Sequence, residues 1–437
     1  MTIFFLIYIL LIFTWILVSN DKNEPWDSNT SSWFALSLSI VAGLVGGNTF
    51  VTFTGFSYKY GSVTLVYFIG VLLGLLLFHI LNPAIIGMNS KYIGSGLVYE
   101  NYPSSTQLIF LSSNLVRFLA VSLIQIIAGS ILMSQISDIS YLMSTFLMVI
   151  TILLYTYKHA FSGVIKTDII QMICVIVPLL FIAIYYFVVG VNKDIQIVDS
   201  QIIYDDFSIS KAILFCLFGF LLVIGSLDIW QRYALIKSGK DSLRILILSC
   251  IIILISSLGI FSISEIVHLS FSDTIIPDVA FVKFFDTELL PRYFRFPMLI
   301  AIISAILSTA DTFIYGSAIL SVRIINGIRK KEDKSKKLYN KALFFWCIIL
   351  LVISNLYSDI LSIAIFLGNM VFAFSPFLLL LLFGFKPNYK IVNIGLLLCS
   401  VFALAVGVIP NIDLEYSYIT ILLSTIFMCF GMYFRRK

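Results

Sequence analysis

The sequence predicts an all-α, polytopic membrane protein. First, 60% of its 437 residues are hydrophobic and only 12% are charged, and the mean hydropathy is +1.04. Second, about 13 separate apolar runs are each long enough to cross a hydrocarbon core of ~30 Å. Third, glycine and polar residues interrupt two of these runs. A soluble protein of this length could not bury so much apolar surface, and no linker divides the chain. We therefore expect a single transmembrane domain over residues 1–437.

The apolar runs predict the membrane-spanning helices in chain order. They lie near residues 2–19, 32–56, 61–87, 107–133, 140–157, 167–191, 211–230, 244–268, 297–321, 341–356, 359–384, 390–410 and 415–434. The first run has no basic residue before it and no small-residue cleavage pattern after it, so we expect a retained helix rather than a signal peptide.

The distribution of basic residues predicts the orientation. With the N-terminus outside, the cytoplasmic segments hold about 21 of the 28 Lys and Arg residues, mainly in residues 231–244, 323–341 and 435–437. We therefore predict an outside N-terminus and a cytoplasmic C-terminus in the plasma or inner membrane. The net charge of +5 reflects this topology, and we expect no nucleic-acid partner.

Glycines interrupt the second and the seventh run at corresponding places. Residues 42–48 read AGLVGGN, and Gly225-Ser226 precedes Asp228 in the seventh run. Glycine weakens helices, and matching interruptions in two halves indicate a transporter site between inverted repeats. Runs two to six and seven to eleven then form a five-plus-five core over residues 32–384, with peripheral helices at 2–19, 390–410 and 415–434. A second explanation stays open, namely that the glycines allow close helix packing.

The ninth run carries oxygen-bearing side chains at helical spacing. Its segment SAILSTADTFIY places Ser308, Thr309 and Thr312 beside Asp311. Such groups at membrane depth are costly unless they face a cavity, a partner or an ion, and oxygen ligands suit a hard cation. The alternative is that the hydroxyls bond back to carbonyls one turn earlier.

Four segments together resemble the sodium:solute symporter family, which has a LeuT-type core. They are residues 39–61 (SIVAGLVGGNTFVTFTGFSYKYG), 166–171 (KTDIIQ), 230–244 (WQRYALIKSGKDSLR) and 304–312 (SAILSTADT). None is specific alone, but their order and membrane placement over residues 32–384 match the family. The resemblance therefore implies Na⁺ as the coupling ion.

The resemblance also implies the ion ligands. The first sodium site would consist of the backbone carbonyls of Ala42, Val45 and Ala305 together with the hydroxyls of Ser308 and Thr309. A second cation site would add Asp168, Asp311 and Thr312 to Ser308. Two simpler roles stay open: Asp168 as a carboxylate that complements a helix dipole, and Asp311 as a salt-bridge partner.

Arg117 is a basic residue well inside an apolar run, where it needs a partner. We expect that partner to be Asp168, which lies on the same side of the membrane. The competing role for Arg117 is a clamp on a substrate carboxylate.

The solute is expected at the midplane beside the interrupted helices. The polar candidates there are Asn48, Thr49, Gln125, Ser226, Asp228 and Asn369. Uncharged hydrogen-bonding groups suit a polyol, a sugar, an amide or an amino acid.

These observations favour a sodium-coupled symporter, not an enzyme, that imports a small polar organic solute by alternating access. Its expected partners are the solute and the lipid bilayer, with no obligate protein partner. Two alternatives stay open: a proton-coupled transporter of the same fold, and a membrane-embedded glycan polymerase or transferase. The polymerase needs a catalytic exterior loop, and residues 269–296 are the richest candidate for one.

Overall fold

The structure is a computed structural model that describes residues 32–81, 98, 101–137, 139–158, 161–190, 208–236, 238–271, 275–329, 336–408 and 414–434. Within these ranges the chain forms helices and turns and no strand, so the predicted all-α fold is confirmed. The main helices are α1 (Trp33–Leu44), α2 (Gly47–Tyr60), α3 (Leu65–Ile80), α4 (Ser104–Ser137), α5 (Tyr141–Lys158), α6 (Phe161–Ile184), α7 (Ile209–Gly225), α8 (Leu227–Tyr233), α9 (Gly239–Phe271), α10 (Arg295–Arg329), α11 (Lys336–Leu356), α12 (Ile360–Leu382), α13 (Tyr389–Val408) and α14 (Ser417–Tyr433).

By length and composition, nine helical segments in the described part of the chain can cross a membrane, and the bent pair α7 and α8 makes a tenth. The first predicted run, residues 2–19, lies outside the described residues. The total of about 13 helices therefore stays a prediction.

The first predicted interruption is a break between α1 and α2. The helical hydrogen bonds of α1 end with the Val45 N–H to the Val41 carbonyl, and those of α2 begin with the Phe50 N–H to the Gly46 carbonyl. Gly47 also packs tightly, because a Cβ there would lie 2.6 Å from the Cα of Ile306 in α10. The glycines therefore both break the helix and allow close packing.

The second predicted interruption is a 57° bend between α7 and α8 at Ser226. The indole N–H of Trp230 reaches back over this bend and donates to the carbonyl of Ile224 at 2.7 Å. One of the carbonyls at the end of α7 is thereby satisfied without a continuing helix. The broken helices open the two predicted halves, as expected for a five-plus-five arrangement.

The two halves touch most closely where α3 packs along α7. A Cβ on Gly70 would lie 2.0 Å from the carbonyl oxygen of Cys216, and a Cβ on Gly219 would lie 2.0 Å from that of Tyr67. Small residues let the two backbones meet, as is common between helices in membranes.

Helix α10 lies at the centre of the bundle. It packs against α1, α2, α4, α6 and α11, and 94% of the residues in its most apolar stretch are buried inside the protein. Helices α13 and α14 pack on α12 at the edge of the core. The hydroxyl-bearing segment of α10 is therefore held inside the protein, where it faces both halves of the first broken helix.

Candidate functional site

The break between α1 and α2 contacts α10 at Thr309. The N–H of Gly47 donates to Thr309 Oγ1 at 2.7 Å, and the Thr309 hydroxyl donates to the carbonyl of Ala305 at 2.9 Å. A Cβ on Gly46 would lie 1.9 Å from Thr309 Oγ1 and 2.4 Å from the Ala42 carbonyl oxygen. Oxygens from Ala42, Ala305 and Thr309 therefore converge beside the break.

Ser308 bridges α10 to α6. Its hydroxyl donates to Asp168 Oδ1 at 2.5 Å, and both side chains are buried. Back-bonding to a carbonyl one turn earlier therefore describes Thr309, whereas Ser308 is held by the carboxylate of another helix. The two neighbouring hydroxyls are positioned by different partners.

The converging oxygens fit a weakly held monovalent cation. They are neutral carbonyl and hydroxyl oxygens, the ligand type that hard cations prefer. They also lie at the C-terminal end of α1, where the helix dipole and the unpaired last carbonyls favour positive charge. Val45 is the residue at the break itself. We call the predicted ligand set (Ala42, Val45, Ala305, Ser308 and Thr309) the oxygen cage: the contacts above bring together the oxygens of three of its members, and Val45 and Ser308 adjoin Gly46 and Thr309 in the chain.

A buried charged cluster adjoins the oxygen cage. Arg232, which is fully buried, lies 3.3 Å from Asp168 Oδ2 through Nη2 and 3.4 Å from Asp228 Oδ2 through Nη1. Its Nε donates at 2.7 Å to the hydroxyl of Ser39, which in turn donates to Asp168 Oδ2 at 2.6 Å. Gly43, next to Ala42 in α1, gives α8 room to approach, since a Cβ there would lie 2.9 Å from Asp228 Oδ2.

The structure pairs Arg117 with Asp228, so the predicted pair between Arg117 and Asp168 is wrong. Arg117 Nη2 lies 3.5 Å from Asp228 Oδ1, and Nη1 donates to the Ser226 hydroxyl at 3.3 Å. The physical reason is the bend at Ser226, which turns Asp228 towards α4, while Arg232 one turn later takes Asp168. The guanidinium of Arg117 is also flanked by three aromatic rings, those of Phe118, Phe313 and Phe374.

Arg232 is a residue of the cluster to which the sequence pattern assigned no role. At the end of an apolar run an arginine is typical of a topogenic charge, and so its burial was not expected. The available signal was its position four residues after Asp228 on one helix, a spacing that suits an ion pair.

Arg232 also contacts the group predicted to form a second cation site. Its Nη2 lies 3.5 Å from Thr312 Oγ1, and the Thr312 hydroxyl lies 3.3 Å from Asp311 Oδ1. Ser308 contacts Asp168 and Thr312 contacts Asp311, and the guanidinium of Arg232 connects the two pairs.

Three of the predicted solute residues gather at the first break. The side-chain oxygen of Gln125 lies 2.1 Å from the position of a Cβ on Gly47, beside Asn48 and Thr49. Within the described residues, both amide atoms of the buried Gln125 and the Oδ1 of Asn48 have no hydrogen-bond partner, while the Thr49 hydroxyl donates to the Leu44 carbonyl. Gln125 and Asn48 are thus able to hydrogen-bond a solute.

The other predicted solute residues have partners of their own. Ser226 and Asp228 contact Arg117 at the second break. The amide of Asn369 bonds to Ser417 at 3.0 Å and to Thr420 at 2.5 Å, and it therefore ties α12 to α14. Gln171, which sequence reasoning did not select, is buried one turn after Asp168 on α6, and its amide atoms have no hydrogen-bond partner in the part of the chain described.

A family model for the sodium:solute symporter family matches residues 28–386, which is most of the chain. The chain belongs to the sodium:solute symporter family. The resemblance inferred from the four sequence segments is thereby confirmed, as are sodium as the coupling ion and a transporter rather than an enzyme. The polymerase alternative is accordingly set aside.

Solved structures of transporters share the fold of this symporter-family chain. A substrate-bound, outward-open structure of a Na⁺-coupled sialic acid symporter matches with a TM-score of 0.73 at 15% identity, over 98% of this chain and 95% of that chain. A manganese transporter of Eremococcus coleocola matches with a TM-score of 0.56 at 13% identity, over 94% of this chain and 96% of that chain. None of the curated proteins compared with the sequence matches it. These matches support the LeuT-type architecture of the core.

Proposed function

We propose that this sodium-coupled symporter imports a small polar organic solute by alternating access, with sodium bound in the oxygen cage. The observation that carries the proposal is the bond from the Gly47 N–H to Thr309 Oγ1. It joins the first broken helix to α10 at the point where the oxygens converge. The ligands would be the carbonyls of Ala42, Val45 and Ala305 and the hydroxyls of Ser308 and Thr309.

Sodium and solute would be coupled because both proposed sites include residues of the same helix break, the one between α1 and α2. The residues on one side of Gly46 would contribute oxygens to the cage, and on the other side Gln125 lies against Gly47, the residue before Asn48, at the expected solute position. An ion that fixes the break therefore also fixes the solute groups. The coupling free energy is reciprocal, so the solute must raise the affinity for sodium by the same factor.

The charge distribution favours an uncharged polar solute. Arg117, the residue considered as a carboxylate clamp, is paired with Asp228 and flanked by aromatic rings. Recruiting it to a solute would break a buried ion pair, which is costly. The unpaired amide atoms of Gln125 and Asn48 suit hydroxyl or amide groups instead. We propose that Ser226 and Asp228 act through Arg117 and that Asn369 has a structural role.

We further propose one transmembrane domain with an outside N-terminus and a cytoplasmic C-terminus. In this orientation α1 runs towards the exterior and α10 towards the cytoplasm. Ser39 precedes Ala42 and Thr312 follows Thr309, so the charged cluster lies on the cytoplasmic side of the oxygen cage. Sodium that leaves the oxygen cage towards the cytoplasm would pass Asp168, whose carboxylate accepts a hydrogen bond from the proposed ligand Ser308.

The test uses the purified protein in liposomes. Tryptophan fluorescence and the thermal midpoint are measured as sodium or potassium is added, with Trp230 at the second break as a natural reporter. We expect a response to sodium and not to potassium, and its loss in the double variant Ser308→Ala with Thr309→Ala. Ser317→Ala is the matched control, because that hydroxyl lies on the same helix and donates to the carbonyl of Phe313 one turn earlier, away from the oxygen cage.

The solute class is tested on the same preparation. Polyols, sugars, amides and amino acids are each added at fixed sodium, and uptake is then followed for any that shift the midpoint. We expect Gln125→Leu to abolish that solute's response while keeping the response to sodium. A wild-type protein that does not respond to sodium would refute the assignment of the cage.

A further inference from the structure

In the proposed orientation, the cytoplasmic end of α11 carries an open groove of about 660 Å³. Its described walls combine three lysines with three apolar side chains, namely Lys336, Lys337, Lys341, Phe344, Phe345 and Ile348. All six side chains are exposed. None of them belongs to the oxygen cage or to the expected solute position, so the proposed transport cycle gives this surface no role.

Four of the groove residues lie in one row along the helix. Lys337, Lys341, Phe344 and Ile348 follow one another at intervals of four, three and four residues, and they therefore share one face. At 1.5 Å per residue this row is about 16 Å long, roughly half of a hydrocarbon core of ~30 Å. The lysines thus lie at the depth of lipid headgroups, and the apolar part of the row lies beside the acyl chains.

The positive charge of the groove is not balanced within the described residues. Helix α11 contains no acidic residue, and none of the three lysines forms an ion pair with a described residue. The lysines also crowd the N-terminus of α11, where the free N–H groups and the helix dipole already favour negative charge. An anion in the groove would therefore be attracted by the side chains and by the helix end together.

We propose that the groove binds one anionic phospholipid, with its phosphate on the lysines and an acyl chain along Phe344 and Ile348. Asn340 lines the same groove, and its Oδ1 is buried without a hydrogen-bond partner in the described part of the chain. That oxygen is able to accept a headgroup hydroxyl. The preference of basic residues for the cytoplasmic side accounts for the number of lysines, but not for their alignment with an exposed apolar row.

The inner face of α11 connects the groove to the centre of the bundle. The indole N–H of Trp346 donates to the hydroxyl of Ser321 in α10 at 2.7 Å, and the ring of Tyr339 lies 6.0 Å from that of Tyr315 in α10. A lipid that binds the outer face of the folded helix therefore stabilises the folded protein as a whole. This inference does not depend on sodium binding in the oxygen cage.

The thermal midpoint of the purified protein in detergent tests the proposal. Phosphatidylglycerol, phosphatidylcholine and inorganic phosphate are added separately at equal ionic strength. We expect a saturable rise with phosphatidylglycerol and a much smaller one with the other two. An equal rise with phosphatidylcholine would show that the headgroup charge is not recognised, and an equal rise with inorganic phosphate would show that the occupant is a free anion. Either result in the wild type overturns the proposal, even if no variant can be purified.

Paired lysine variants locate the effect. Lys337→Gln with Lys341→Gln is expected to weaken the apparent affinity for phosphatidylglycerol about tenfold or more, because each lysine near a membrane surface adds to the attraction of anionic lipid. Lys386→Gln with Lys390→Gln is the matched control, since it removes the same charge from two exposed lysines at the start of α13, outside the groove. Lys337→Arg with Lys341→Arg keeps the charge and should keep the lipid. An unchanged affinity in the groove pair, or an equal loss in the control pair, would refute the site.

Discussion

Thr309 Oγ1 occupies the space in which a side chain on residue 46 would begin, 1.9 Å from the position of that Cβ. The same hydroxyl accepts the N–H of Gly47 and donates to the Ala305 carbonyl. A hydroxyl at position 309 in this place therefore leaves room only for glycine at position 46. The contact joins the first broken helix to the central helix of the bundle.

Gly46→Ala is expected to remove the sodium response and lower stability. The added methyl group would overlap Thr309 Oγ1 and the Ala42 carbonyl oxygen, so the break must move away from α10. Overpacking of this kind costs about 1–3 kcal/mol. The measurement is the thermal midpoint with and without sodium. Gly239→Ala is the control, since a Cβ there meets nothing within 4 Å. Sodium binding that persists in Gly46→Ala would contradict the proposed cage.

Thr309→Val is expected to destabilise the protein even without sodium. Valine keeps the shape but loses the hydroxyl that accepts the Gly47 N–H, and an unsatisfied buried donor costs about 1–3 kcal/mol. Thr309→Ser keeps the hydroxyl and should retain most of the stability. Denaturation of the purified protein in detergent, in potassium buffer, compares the three proteins. Equal midpoints for the valine and serine variants would show that the hydrogen bond is not needed.

Much of the fold could be predicted from the sequence, because membrane insertion converts hydropathy directly into helices. Both interruptions were also predictable, since glycine clusters at residues 43–47 and 225 coincide with the observed breaks. The first run, residues 2–19, lies outside the described residues, so its helix stays a prediction.

The partners within the site were harder to predict than its members. Asp168, Ser308 and Thr309 were selected as oxygen-bearing residues in an apolar setting, and the structure brings Asp168 and Ser308 into direct contact. The pairing of the charges depends on the bend at Ser226, which turns Asp228 towards Arg117 and leaves Asp168 to Arg232. Such a bend angle is set by tertiary packing and has no counterpart in residue spacing.

Arg117 and Asp228 are expected to be coupled in stability. Arg117→Met leaves Asp228 with one guanidinium instead of two, and breaking a buried pair by removing one partner costs roughly 3–5 kcal/mol. Asp228→Asn is expected to be destabilising for the same reason. In the double variant neither charge is left uncompensated, so its loss should be smaller than the sum of the single losses. A double-mutant cycle on the free energy of unfolding measures this, and strict additivity would rule out the coupling.

Asp278, which lies outside the membrane-spanning segments, is expected to make the stability of the protein depend on pH. Its Oδ1 accepts the N–H of Leu361 at the start of α12, where Asp359 also caps the helix. Burial, and then the charge of Asp359, raise the pKa of Asp278 to about 6. Between its ordinary pKa of 3.8 and about 6 the folded state binds more protons than the unfolded state. Stability should therefore fall as the pH rises through this window.

Asp278→Asn tests this dependence. Asparagine still accepts the Leu361 N–H but does not ionise, so the fall in the thermal midpoint from pH 4.5 towards neutral pH should shrink, about in proportion to the contribution of this one group. At neutral pH the variant should be more stable than the wild type. Asp286→Asn, a change at an exposed carboxylate paired with Lys283, serves as the control. Parallel pH profiles for the wild type and Asp278→Asn would disprove the assignment.

The glycine contact between α3 and α7 limits how the carrier can move. Gly70 and Gly219 bring two backbones together with no side chain between them, and α3 belongs to one repeat while α7 belongs to the other. Sliding or parting at this contact would lose the close packing of the two backbones, which is what holds helices together in a membrane. We therefore expect α3 and α7 to move as one rigid unit during the transport cycle. The hinges should lie at Val45 and Ser226, where the two broken helices are interrupted.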